Sequence, residues 1–159
     1  MVIKKGEVYM KRRFLQPYRI TDRGGEPAVI PLRRECLFNR DFRSTVYTGG
    51  HFQVTLMCIP AGESIGSETH PHTDQMLYIE KGYARIEMGE TENGLNYRFH
   101  ATAGDAVFVP AGTYHNIYNI GSSSLKLFSV YAPPQHPFGT VHETKREAEE
   151  AEKNENAQH

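Results

Sequence analysis

Between Gly62 and Asn119 the sequence gathers Glu68, His70, His72, Asp74, Gln75 and His115. Imidazole, carboxylate and amide oxygen together suit divalent metals of hard or borderline character, and none of these groups is a soft thiolate. Glu68 and His70 stand two apart, as do His70 and His72, and residues two apart on a β-strand leave it on the same face. Both pairings, Glu68-x-His70 and His70-x-His72, are therefore open. Either would aim two donors into one space, where a bound cation can act as a Lewis acid on an oxygen-rich molecule.

Short β-like runs broken by Gly, Pro and Asn fill the chain from Ser44 to Tyr131, which is the pattern of an all-β sandwich or barrel. The runs are Arg43–Thr48, Phe52–Ile59, Ser64–His70, Met76–Glu80, Tyr83–Met88, Leu95–Ala101, Ala106–Val109, Tyr114–Asn119 and Leu125–Tyr131. In Tyr83–Met88, Ala84, Ile86 and Met88 alternate with Tyr83, Arg85 and Glu87, so one face is apolar. The first forty residues carry Pro17, Gly24-Gly25, Pro27 and Pro31 and read as an arm with edge strands. After Pro133-Pro134, Thr144-Lys-Arg-Glu147 reads as a capping box that opens a short charged helix, in which Thr144 accepts from the Glu147 amide. Beyond about Lys153 the polar composition predicts fraying. The divisions are residues 1–43 as arm, 44–133 as barrel and 134–159 as loop, helix and tail.

A chain of 159 residues has length for one domain with one core. No apolar run approaches the roughly 20 residues of a membrane span, and the basic start lacks the apolar stretch of a secretion signal. Cys36 and Cys58 are too few and too far apart for a disulfide framework or thiolate site, so both read as reduced packing residues, in keeping with a cytoplasmic protein. Net charge is −1, with a basic segment up to Arg43 and an acidic end. No recognition helix or zinc-finger spacing accompanies the arginines, so they read as solvated or subunit-contact charges and no nucleic-acid partner is expected.

The same region resembles the cupins. Gly104, Pro110, Gly112, His115 and Asn119 match the second cupin motif, G-x5-P-x-G-x2-H-x3-N, without gaps. The first motif, G-x5-H-x-H-x4-E-x6-G, is matched in spacing by Gly62, Glu68, His70, Gln75 and Gly82, with Glu68 in place of a His and Gln75 in place of the Glu. Choosing His70-x-His72 instead breaks the spacing to both Gly62 and Gln75. The resemblance implies a double-stranded β-helix (jelly-roll) barrel with a short C-terminal helix. Inside it, one divalent metal ion, Zn, Mn, Fe or Ni, would be held by Glu68, His70, Gln75 and His115. One Glu, two His and one Gln carry the same formal charge as the usual three-His, one-Glu set. Replacing an imidazole by oxygen hardens the site and disfavours copper(I).

The set is also similar to that of zinc phosphomannose isomerases of the first type, which are cupins ligating metal through Gln-x-His, a Glu and a distant His. That resemblance implies isomerisation or epimerisation of a sugar or sugar phosphate, with Glu68 as base if it leaves the metal. The alternatives are an iron, manganese or nickel dioxygenase and a non-catalytic sugar-binding module in which the site has lapsed. His72 and Asp74 read as turn residues, His51 and His100 as surface histidines, and Asn119 as support for a strand end. Tyr78 and Tyr118 read as outer-face residues, and the loop from His136 to His142 as a tail able to fold over the barrel mouth. Pairing of exposed strands, as is common in cupins, implies a homodimer.

Overall fold

The computed structural model describes residues 20–157. Alternating apolar positions pair into two antiparallel sheets facing one another. The strands are β1 (Arg43–Thr48), β2 (Gln53–Ile59), β3 (Asp74–Lys81), β4 (Tyr83–Gly89), β5 (Tyr97–Thr102), β6 (Ala106–Val109), β7 (Tyr114–Asn119), β8 (Leu125–Ala132) and β9 (Val141–His142). The larger sheet has the order β6-β3-β8-β2-β1-β9 and the smaller β5-β4-β7. This is an all-β double-stranded β-helix, as expected.

Register decides what enters the space between the sheets, since residues directly opposite across an antiparallel pair share a face. One transverse row runs Val109, Gln75, Tyr131, Gln53; the next Val107, Leu77, Ser129, Thr55, Thr45; a third Ile79, Leu127, Met57, Arg43, His142. Ala84, Ile86 and Ile117 of the smaller sheet meet Leu77, Ile79 and Leu127 in the main core. Each of the buried Leu and Ile side chains contributes about 1.5–3 kcal/mol. The interior is thus apolar on one side and polar on the other, where Arg43, Thr45, Thr55, Gln53, Gln75 and Ser129 are all buried.

Three elements differ from the sequence reading. The run Ser64–His70 is not a continuous strand but two isolated bridges to β7, Ser64 to Tyr118 and Glu68 to His115. Gly66 interrupts it with φ +93°, a left-handed conformation costly for residues with a Cβ. Where edge strands are expected in the arm, residues 32–38 form helix α1 (Leu32–Phe38), and the part of that expectation on residues 1–19 lies outside the described residues. Helical spacing brings Leu32 and Cys36 together on the outer face of the larger sheet, against Val46, Leu56, Val54 and Phe128. The edge beside β1 is taken instead by β9.

Helix α2 (Lys145–Asn156) starts as expected, the Thr144 side chain accepting from the Glu147 amide at 3.3 Å, while the Glu147 carboxylate accepts from the Glu143 amide at 2.7 Å. It continues past Lys153, where fraying is expected. Ala148 carries the helix into the main core. Among the described residues no helix is long and apolar enough to cross a membrane.

Candidate metal centre

Glu68 and His115 exchange both backbone hydrogen bonds, each at 2.9 Å, so their side chains leave neighbouring backbones side by side. The segment before Glu68 is steered there by Gly66, whose amide donates to the Asn116 side chain at 3.2 Å. His70 follows in the turn, its carbonyl accepting from the Gly112 amide at 2.9 Å. The two cupin-like motifs are therefore joined directly, Gly112 of one holding His70 of the other.

The side chains then converge. Glu68 Oε2 lies 3.6 Å from His70 Nε2 and 3.9 Å from His115 Nε2. One donor atom from each of these three residues falls within 4.8 Å of the others. Neither Nε2 has a hydrogen-bond partner although both are buried, and buried polar atoms in folded proteins are otherwise nearly always paired. His115 Nδ1 meets the Thr113 carbonyl at 3.1 Å. A carbonyl only accepts, so Nδ1 carries the proton and Nε2 keeps its lone pair in the neutral ring. Burial holds the His115 imidazole below its usual range against the opposing pull of Glu68, keeping it neutral. Two free imidazole nitrogens and a carboxylate oxygen around one point fit a divalent cation.

Glu68 is a tenth exposed and remains ionised for a reason the sequence reading missed. Burial raises its carboxyl, but Arg43 foremost, with His70 and His115, brings it down to about 2. Arg43 Nη2 donates to Glu68 Oε1 at 2.9 Å, which leaves Oε2 for the two histidines. Read from sequence among solvated or subunit-contact charges, Arg43 is 1% exposed. Its Nη1 reaches Glu152 of α2 at 3.2 Å, and its Nε is buried and unpartnered.

Gln75 faces this interior from β3, directly opposite Tyr131, whose ring lies edge-on to His70 at 5.6 Å. Its amide nitrogen donates to Ser129 Oγ at 3.1 Å while its oxygen is buried without a partner. The Tyr131 hydroxyl and His136 Nε2 are likewise buried and unpartnered, and the Tyr131 and His136 rings meet edge-on at 5.1 Å. Burial, reinforced by the charge of Arg43, pushes the His136 imidazole down to about 3, so it is neutral at ordinary pH. Gln53 clamps this residue in place: its amide nitrogen donates to the His136 carbonyl at 2.7 Å and its oxygen accepts from the His136 amide at 2.9 Å. The segment after Pro134 is therefore tied into the barrel wall, with Phe138 exposed and His136 turned inward.

Residues read as peripheral stay so. His72 is exposed in the turn, and Asp74, read as a turn residue, is the exposed first residue of β3, where it accepts from the Ala111 amide at 2.8 Å. His51 and His100 are exposed. Tyr78 stacks on Phe128 on the outer face, and Tyr118 lies under Arg85. Asn119 braces a strand end by donating to the Ile59 and Ser123 carbonyls at 2.9 and 2.8 Å. Cys36 and Cys58 are free and buried. Tyr131 was open to sequence reading, because Leu125, Leu127, Ser129 and Tyr131 alternate in one phase. Arg43 was not, because both faces of β1 are buried at its start and alternation there has no phase.

Fold and site together define a small β-barrel with a candidate metal centre inside, and comparison with known proteins agrees on the fold. Residues 55–131 match the cupin domain family, so this segment of the chain is a cupin domain. It is 49% identical over 133 residues to the uncharacterized protein YrkC of Bacillus subtilis, covering 84% of this chain and 72% of YrkC. It is 36% identical over 114 residues to the uncharacterized protein L612 of Acanthamoeba polyphaga mimivirus, covering 71% of this chain and 69% of L612. Among solved structures, BH2720 of Bacillus halodurans aligns with a TM-score of 0.81 at 48% identity, over 82% of this chain and 99% of that one.

Proposed function

We propose that this cupin is a metal-dependent enzyme acting on a small oxygen-rich molecule, and that the reaction is isomerisation or epimerisation of a sugar or sugar phosphate. The observation that carries it is the meeting of Glu68 Oε2 with the free Nε2 atoms of His70 and His115. The unpartnered Gln75 oxygen is the fourth ligand in this reading, and it gives the donor types that the isomerase resemblance implies. A bound divalent ion would supply Lewis-acid polarisation of a carbonyl and its neighbouring hydroxyl.

The remaining roles fall to the chain itself. Glu68, expected from sequence as a base, is held ionised by Arg43 at about 2, which suits a ligand and makes it a weak base. His136, pushed down to about 3, is a weak base as well; its neutral ring, buried unpartnered nitrogen and backbone fixed by Gln53 suit it to hydrogen-bond and orient a substrate oxygen. The Tyr131 hydroxyl and Arg43 Nε are free to donate to substrate oxygens. Incubation with hexose phosphates in deuterated water, followed by NMR, is the test. The metal-loaded protein should exchange the proton next to the carbonyl, and His136→Phe should keep the metal and lose the exchange. No exchange with any aldose or ketose phosphate would exclude the isomerase.

A second reading has one observation in its favour: two histidines and one carboxylate are also the ligands of iron(II) oxygenases. Oxygen consumption requiring both added iron and an organic substrate would select it, and a metal-free protein that still binds sugar would instead select a binding module. Tyr97, Phe99 and Phe108, exposed on edge strands β5 and β6, support a homodimer, which light scattering tests.

A further inference from the structure

Arg43 is shared. Its guanidinium reaches Glu68 Oε1 through Nη2 at 2.9 Å and Glu152 Oε1 through Nη1 at 3.2 Å, so a single buried cation joins the candidate ligand to the C-terminal helix. Glu68 and Glu152 lie in segments far apart in sequence, and Glu152 is 42% exposed where Arg43 is 1% exposed. A fully buried guanidinium beside a would-be metal ligand is a competitor as well as a support. It orients the carboxylate, yet it places a positive charge where a second cation must enter. Arg43 and Glu68 alone sum to zero charge, and Glu152 makes the group −1, the sign that favours a cation.

We propose that Glu152 is a positioning residue of the metal centre: by holding the other half of the Arg43 guanidinium, it leaves Glu68 Oε2 free and offsets the charge that opposes metal entry. The inference rests on reading Glu68, His70 and His115 as the metal site. It makes α2 part of that centre, anchored by Ala148 in the core and by Lys145, which donates to Ser64 Oγ at 3.4 Å beside the segment that carries Glu68. Partners that orient metal ligands without touching the metal commonly change affinity by about 10–100-fold when removed.

The test is titration of metal-free, full-length protein with Zn2+ and with Co2+ alone, followed by calorimetry and by the visible absorption of cobalt. Glu152→Gln should weaken binding about tenfold and shift the cobalt spectrum, with an unchanged melting temperature in the absence of metal. Glu152→Asp, which keeps the charge, should recover most of the affinity. Glu150→Gln, on the same helix but paired with Arg146 at the surface, controls for general helix charge and should bind as wild type. Equal affinity and spectrum in Glu152→Gln and wild type would overturn the proposal while leaving the site standing. If Glu68→Gln or His115→Ala binds as tightly as wild type, or wild type binds no metal, the site reading itself fails and the proposal with it.

Discussion

Arg43 and Glu68 form an ion pair inside the barrel, 2.9 Å apart, that uses one carboxylate oxygen and turns the other toward His70 and His115. Its energetic character follows from burial. Arg43 is 1% exposed and Glu68 a tenth, so removing Arg43 leaves a nearly buried carboxylate without its cation, whereas removing Glu68 leaves Arg43 with Glu152 alone.

Arg43→Met should therefore destabilise the metal-free protein by about 3–5 kcal/mol in denaturant unfolding. Excess Zn2+ should recover a larger share of stability in this variant than in wild type, because a cation at Oε2 would compensate the stranded carboxylate. An equal gain in both proteins would mean that Glu68 does not face the bound metal.

Glu68→Gln, His70→Ala and His115→Ala should each reduce the metal retained by protein purified without chelator to below about a tenth of an equivalent, since each removes one donor of the site. Elemental analysis measures this directly. Gln75→Ala should lower affinity less, because an amide oxygen is a weaker donor than an imidazole or a carboxylate and its loss leaves Glu68, His70 and His115 in place.

Asp22 ties the start of the described chain to the barrel. It accepts from the Gly24 and Thr48 amides at 2.9 Å, from the Thr48 hydroxyl at 2.5 Å and from the Gly139 amide at 3.1 Å. Burial pushes its carboxyl up, but hydrogen bonds led by that from Thr48 hold it below its ordinary value of 3.8. The folded state thus binds the proton less readily than the unfolded chain. The resulting stability is fully present above pH 3.8 and is lost as pH falls through the lower folded value. Asp22→Asn should cost about 1–2 kcal/mol near neutrality and flatten the acid limb of the stability curve, as read by urea unfolding at a series of pH values.

Asn119→Ala removes donors to Ile59 and Ser123 and an acceptor for the Gly121 amide at a site only 2% exposed. The buried Ile59 carbonyl loses its partner, as do the Ser123 carbonyl and Gly121 amide nearer the surface, so unfolding should show a loss of about 1–3 kcal/mol. Metal content should be unchanged, because Asn119 lies at the far end of β7 from His115 and supports the strand only.

The fold was legible because its signals are local. Alternation of apolar residues locates the strands, Ala106–Val109 and Tyr114–Asn119 to the residue, and Thr144 with Glu147 marks the start of α2. Glu68, His70 and His115 were legible because two short motifs carry them at fixed spacing. The Ser64–His70 segment was misread because alternation there does not register the left-handed turn at Gly66.

What the sequence by itself determined is which residue types are present and how each short segment prefers to lie: a β-barrel with Glu68, His70, Gln75 and His115 as candidate ligands. Only the tertiary structure decided that Arg43 is an interior cation between Glu68 and Glu152, and that His136 returns to the barrel under the hold of Gln53. The physical reason is that a side chain's chemistry depends on its partners and its access to water. For these residues both are set by strand register and by a helix at the other end of the chain, neither of which leaves a local pattern.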